Sequence, residues 1–283
     1  MTRRWFGGVF GNTVGTDTPF SATTGVFSME QQYYMKQEGG WVYGLGEDSS
    51  IPASSAKALY DNGNRTNGVY WLKHGSNSAY QCYCWLDSTS GGGYHLVGKI
   101  DNSNPSDWYW NGARWTATSP ANESNCQDLS NTEGLTRGYY QYSLQTGFRM
   151  AMHYNAPSVI TNYLSEAKTG ASARNFFVNS SSTQNNRNNF VSLFTNAGND
   201  NGFVNNFNTN QSNCNQAGFV QSSSSHNIRW GIAGNNENDC NTNDSTIGFG
   251  GQHYGGGGAN AAGGQASHAS SYSRPVIGYI FVQ

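Results

Sequence analysis

Charge is what this sequence has least of. Asp, Glu, Lys and Arg make up 11% of its residues, less than half the roughly 25% of an average soluble protein. The net charge is only -2. That excludes a broad basic face, and with it nucleic acid as a partner, because neutralising phosphates needs clustered Lys and Arg. Long apolar runs are missing too. No stretch approaches the ~20 residues of a spanning helix, so no membrane insertion is expected. Met1-Thr-Arg-Arg leads into Trp5-Phe-Gly-Gly-Val-Phe, too short and too Gly-rich for a signal-peptide core. A chain made in a cytoplasm is expected. CxxC, GxSxG, HExxH and P-loop patterns are all absent. The six His form no i,i+4 pair, and Glu123, Glu133 and Glu166 are isolated acids. A non-enzymatic protein is expected. A polysaccharide-acting enzyme, which needs two carboxyls ~5–9 Å apart, is kept as a third alternative.

Asn, Ser, Thr, Gln and 36 Gly fill the place of the missing charge. Such a surface stays soluble through neutral hydrogen bonding. Disorder does not follow, because disordered chains are poor in aromatics and high in net charge. Here 8 Trp, 17 Tyr and 14 Phe give 14% aromatics, enough buried area per residue to anchor a loop-rich core. The five cysteines are odd in number. Cys82 and Cys84 share one face of a strand and cannot easily bridge each other. Buried free thiols are expected for most of the set. A Cys214–Cys240 bridge stays open, since connectivity is not readable from spacing.

Residues 1–48 read as a separate attachment or oligomerisation segment. Ser28-Met-Glu-Gln31 has capping-box spacing, Glu30–Glu38 fits two helical turns, and Gly39-Gly40 stops them. Residues 49–283 read as one domain. Gly68-Val-Tyr-Trp-Leu and Ala79-Tyr-Gln-Cys-Tyr-Cys-Trp-Leu alternate like paired strands around the turn Gly75-Ser-Asn-Ser. The Asn/Ser-rich stretch Asn175–Asn215 reads as long loops pinned by phenylalanines. Gly248–Gly264 reads as unable to support a helix or a central strand. Pro275–Gln283 reads as a buried closing strand. The fold class expected is α+β and loop-rich, with short antiparallel strands and few short helices.

Three blocks carry a family resemblance. Asn67-Gly-Val-Tyr-Trp-Leu precedes Tyr80-Gln-Cys-Tyr-Cys-Trp-Leu-Asp-Ser-Thr-Ser-Gly-Gly-Gly-Tyr-His-Leu-Val97. Gly218-Phe-Val-Gln221 and Gly231-Ile-Ala-Gly precede Asp239-Cys-Asn-Thr-Asn-Asp-Ser-Thr-Ile-Gly-Phe-Gly-Gly251. His268-Ala-Ser-Ser-Tyr-Ser-Arg274 precedes the final strand. Their order resembles fibrinogen-related domains, intelectins most of all, over about residues 56–283. The resemblance implies a fibrinogen-like C-terminal domain and a recognition role toward glycans, often through calcium. It also differs: Arg274-Pro-Val-Ile-Gly278 holds no acid where intelectins place a calcium-binding glutamate, and Tyr94 stands for the usual Trp. Gly25–Trp41 resembles a short element of bacteriophage virion structural proteins.

Asn236, Glu237, Asn238, Asp239, Asn243 and Asp244 form the densest oxygen-ligand segment. They are the candidate calcium ligands, since calcium takes 6–8 oxygens from carboxylates, amides and carbonyls. A solvated Asn-rich turn is the alternative. Asp101–Asp107 is a second such segment and also an ordinary turn sequence. Trp108, Trp110, His253, Tyr254, His268 and Tyr272 are the candidate ligand-binding residues. Aromatic faces stack on sugar rings, and the Gly-rich tract lets a ligand approach the backbone. These readings converge on a virion surface protein, such as a tail fibre, knob or capsid-surface component. Its expected partners are copies of itself, other virion proteins and a host-surface glycan. A freestanding intelectin-like lectin is the alternative.

Overall fold

The computed structural model describes residues 44–101, 105–179, 187–197, 213–222, 226–253, 262–266 and 272–283. The expected N-terminal helix lies outside them. Two antiparallel sheets and a few short helices make the fold, in agreement with the α+β, loop-rich expectation. Among the described residues no helix is long and apolar enough to cross a membrane.

The first sheet contains β1 (Gly68–Leu72), β2 (Tyr80–Trp85), β3 (Tyr94–Ile100), β4 (Gly134–Leu135), β5 (Gly147–His153), β6 (Tyr163–Ala167) and β13 (Ile277–Val282). Its order is β1-β2-β3-β13-β5-β6, with β4 added on β3. The expected hairpin forms, with Tyr70 opposite Cys82 and Leu72 opposite Tyr80. The closing strand takes the central place, between β3 and β5. It is apolar on every residue but Gly278 because both its faces are covered. Ile280 and Val282 enter one core, while Ile277, Tyr279 and Phe281 enter another.

The second sheet contains β7 (Cys214–Ser222), β8 (His226–Asn235), β9 (Ser245–Phe249), β10 (Gln252–His253), β11 (Ala262–Ala266) and β12 (Tyr272–Pro275). Its order is β10-β8-β9-β11-β12, with β7 on β8. One sequence expectation is corrected here. The Gly tract does supply strand, and a central one: β11 pairs with β9 through Gly263 and Gly264 and with β12 on its other side. Glycine weakens a strand through entropy, but it keeps both ladder groups, and close backbone approach can require it. Gly231 and Gly248 face each other across β8 and β9 at φ +155 and +142. A Cβ on either would be driven into the partner strand's carbonyl oxygen.

The stretch from Asn175 is also corrected. It holds two helices, α4 (Ala173–Asn179) and α5 (Arg187–Asn196), besides its loops. Their buried Phe177, Phe190 and Phe194 join the main core. Helix was missed because Asn and Ser dominate the composition, while the buried phenylalanines that decide the outcome are few. Among the described residues three shorter α-helices accompany them: α1 (Ala56–Asp61), α2 (Ala113–Thr116) and α3 (Gly138–Gln141). Ser55 caps α1 by accepting from the Ala58 N–H at 3.1 Å.

The sparse charges tie loops together. Arg137 donates to both oxygens of Glu123 at 3.0 and 2.8 Å. Arg114 pairs with Asp107 and Glu133. Lys99, fully buried, reaches Asp128 at 2.8 Å. Cys214 and Cys240 are bridged, while Cys82, Cys84 and Cys126 are free and buried.

The Gly231–Gly248 approach generates a test. Gly248→Ala adds backbone overlap and an unfavourable φ. It is expected to cost roughly 3 kcal/mol, or about 5–10 °C in Tm. A calorimetric loss under about 2 °C would contradict the close approach.

Candidate functional site

The site is built from two turns and a strand end. The β1–β2 turn is closed at its base by Asn77, whose N–H and Nδ2 donate to the His74 carbonyl at 3.2 and 2.8 Å. The end of α3, where the Tyr142 N–H donates to the Gly138 carbonyl at 3.1 Å, brings in Gln141, Tyr142 and Ser143. Ser54 enters from the start of α1. Between them lies an open groove of about 420 Å³, lined by Ser54, His74, Gly75, Ser76, Asn77, Gln141, Tyr142 and Ser143. No side chain in that lining carries a carboxyl, a guanidinium or an ammonium.

His74 forms the inner wall, and its protonation state follows from its partners. Nδ1 lies 2.9 Å from the Ser54 carbonyl oxygen. A carbonyl only accepts, so Nδ1 carries the proton. Nε2 is then the acceptor, and the Tyr80 hydroxyl at 2.8 Å donates to it. Burial raises the Tyr80 phenol far above its usual range, which keeps it a donor. Burial also pulls His74 down to about 4.

Behind His74 sits His95, with no exposure at all. Its ring is 5.3 Å from His74 and 4.7 Å from Tyr142, centroid to centroid. Neither of its nitrogens has a hydrogen-bond partner in the structure. Burial, then the nearby His74, holds its pKa well below the usual histidine range. The Gln141 Oε1 atom at the groove is likewise buried and unpaired. Orphaned buried groups cost about 1–3 kcal/mol each. Chemically, the groove offers neutral donors and acceptors over the buried rings of His74 and Tyr142.

The residues expected from sequence sit elsewhere. Trp108 is fully buried, packed edge-on against Trp115 at 4.8 Å. It has no face left for a ligand. Trp110 is half-buried, and the Arg229 guanidinium stacks on its ring at 4.2 Å. His253 lies in β10 opposite His226, and Tyr272 lies in β12 opposite Ala266. Tyr254 and His268 fall outside the described residues.

The six metal candidates form a hydrogen-bonded loop strapped by Cys214–Cys240. Both Asp239 oxygens accept from within it, from the Asn241 N–H at 2.9 Å and the Thr242 hydroxyl at 3.1 Å. Asn235 Nδ2 donates to the Asp239 carbonyl at 2.7 Å. Glu237, Asn238 and Asp239 are exposed, Asn236 and Asp244 partly so, and Asn243 is buried. Among the described residues no three His, Cys, Asp or Glu side chains converge as a metal cluster. Asn235, Asp239, Asn241 and Thr242 thus close an Asx-type turn. In the second acidic segment Asp107 is paired with Arg114 at 2.7 Å.

Sequence reasoning missed His74, Asn77, Gln141, Tyr142 and Ser143. Gly75-Ser-Asn was legible as a turn, but nothing in its spacing tied it to a segment some 65 residues later. No protein-family model matches the chain, and no curated protein matches it.

Two tests follow. His74 and His95 are neutral when folded, while the unfolded chain titrates near 6.5. Between about pH 4 and 6.5 the unfolded state therefore binds more protons, so stability falls as pH falls through that window. From His74 alone the loss is on the order of 3 kcal/mol. Urea midpoints at pH 7.5 and 4.5 should show it, and His95→Phe should flatten the difference. An equal slope in that variant would contradict the account. For the strapped loop, millimolar calcium is expected to leave Tm within about 1 °C. A larger rise, abolished by Asp239→Ala with Asp244→Ala, would show that the loop reorganises around the ion.

Proposed function

We propose that this chain is a non-enzymatic recognition protein of a virion surface, a fibre, knob or capsid-surface component that binds host-surface glycan through a fibrinogen-related, intelectin-like domain. The observation that carries the recognition reading is the groove between the His74–Asn77 turn and Gln141–Ser143. Serine hydroxyls, two carboxamides and the rings of His74 and Tyr142 line it. Neutral hydroxyls and carboxamides match a neutral polyhydroxylated ligand, whose hydroxyls pair with them above the buried rings of His74 and Tyr142. The groove's one histidine is held by Ser54 and Tyr80, so it is not poised as a general base. That arrangement favours binding over catalysis.

Support for the virion reading comes from the sequence: the Gly25–Trp41 resemblance and a neutral, Asn- and Gly-rich surface. In this reading residues 1–48 attach to copies of the chain and to other virion proteins, and residues 49–283 face outward. One observation favours the alternative of a freestanding lectin. The Cys214–Cys240 bridge suits an oxidising compartment. Three free thiols in the same chain weigh the other way. Residues 56–283 supply the fibrinogen-like resemblance, and calcium at Asp239 is not needed for the groove to bind.

The test is a glycan array with the purified chain, repeated with Asn77→Ala and Ser143→Ala combined. Loss of two hydrogen bonds should weaken binding by about 10-fold or more, with only a small fall in Tm from the lost Asn77–His74 turn bond. Binding to no glycan, or undiminished binding by the double variant, would count against the reading. Antibody raised to residues 49–283 should label intact particles if the virion assignment is right.

A further inference from the structure

A second feature lies on the opposite face of the first sheet. Tyr94 and His95 are consecutive on β3, so their side chains leave opposite faces. His95 backs the groove, and Tyr94 faces Arg149 of β5. The guanidinium carbon of Arg149 lies 4.8 Å from the Trp85 ring centroid, 4.4 Å from Tyr94 and 4.7 Å from Tyr163. Its Nη1 donates to the Thr89 carbonyl at 3.1 Å. Its Nε is buried and has no hydrogen-bond partner. Three rings and one carbonyl therefore fix both position and orientation of the fork.

What the cation lacks is an anion. Among the described residues Arg149 forms no ion pair, whereas Arg114 and Arg137 each do. The neighbouring acid, Asp87, is committed elsewhere. It accepts from Trp85 Nε1 at 3.1 Å and from the Thr89 N–H at 2.9 Å, and its other oxygen accepts from Asn67. The remaining arm of the fork, Nη2, points to Gly91, where a Cβ would lie only 3.2 Å away. Gly91 is exposed and sits at φ +59, so solvent reaches this side.

We propose that Arg149, with the Asp87–Gly93 loop and Tyr163, binds the carboxylate of an acidic saccharide. The Nη2 arm, held in place by the three rings and the Thr89 carbonyl, gives a carboxylate one pre-oriented charge-assisted hydrogen bond. Trp85 and Tyr94 are buried under the guanidinium, but Tyr163 is partly exposed on the edge strand β6 and offers a face to the sugar ring. The saccharide part rests on the recognition reading above. The charge preference rests on Arg149 alone.

The experiment compares calorimetric binding of oligogalacturonate and of its carboxyl-reduced, neutral form to the full chain. The wild type is expected to bind the acid form at least 10-fold more tightly at low salt. Arg149→Gln should abolish that preference, and Arg149→Lys should keep only a small part of it, because an ammonium lacks the planar stacking and the second arm that hold Nη2 in place. If Arg149→Gln does not fold, Gly91→Asp serves instead. Aspartate tolerates a left-handed backbone, and its carboxylate would occupy Nη2, so acid binding should fall while Tm holds or rises. Asn77→Ala should leave the acid preference intact, which separates this site from the groove. A wild type without acid preference would overturn the proposal. So would a preference that survives in Arg149→Gln or Gly91→Asp, or one that is lost in Asn77→Ala.

Discussion

Everything in this molecule leans on the aromatic seam where the two sheets meet. Phe148 of β5 lies 5.4 Å from Phe219 of β7, and Phe177 of α4 lies within 5.6 Å of both. Trp230 of β8 extends the seam, packing on Phe190 and Phe249 and donating its indole N–H to the buried Glu166 of β6 at 3.1 Å. Each ring brings a large apolar area and an edge-to-face contact. Few residues therefore suffice to hold two sheets whose connections are mostly loops.

That economy explains how a chain with so little charge and so much glycine folds. The core is paid for by rings, and the scattered ion pairs do a different task. Arg137 on Glu123 and Lys99 on Asp128 fasten loops to the first sheet. The glycines allow backbones to touch, as Gly231 and Gly248 do between β8 and β9. Amides and hydroxyls take the place of charge on the surface. The first sheet carries a groove lined by neutral groups on one face and the Arg149 guanidinium on the other.

Both candidate sites draw on β2 and β3, one from each face of the first sheet. On β3 the alternation of side chains sends His95 one way and Tyr94 the other. On β2 it sends Cys84 toward the α1 core and Trp85 toward Arg149. The loops add the specific groups: the His74–Asn77 turn and Gln141–Ser143 on one face, and Asp87–Gly93 on the other. A rigid sheet presenting short loops is a common way to fix polar groups for recognition.

The sequence by itself determined several things. Alternation in Gly68–Leu72 and Tyr80–Trp85 specified a hairpin, because one face of each strand had to be buried. The apolar run Val276–Val282 specified a buried strand, and the i,i+2 spacing of Cys82 and Cys84 kept those thiols from pairing. Only the tertiary structure decided the rest. The strand order placed the last strand at the centre of its sheet, where two faces needed covering. Packing of Phe177, Phe190 and Phe194 drew helix from an Asn-rich stretch, and paired neighbours drew a central strand from a Gly-rich one. Exposure decided among the tryptophans, enclosing Trp108 and leaving Trp110 to Arg229. The groove joins side chains some 65 residues apart and the Arg149 site joins residues about 80 apart. No local pattern encodes such a meeting, because it exists only after the sheet has set the distance between its loops.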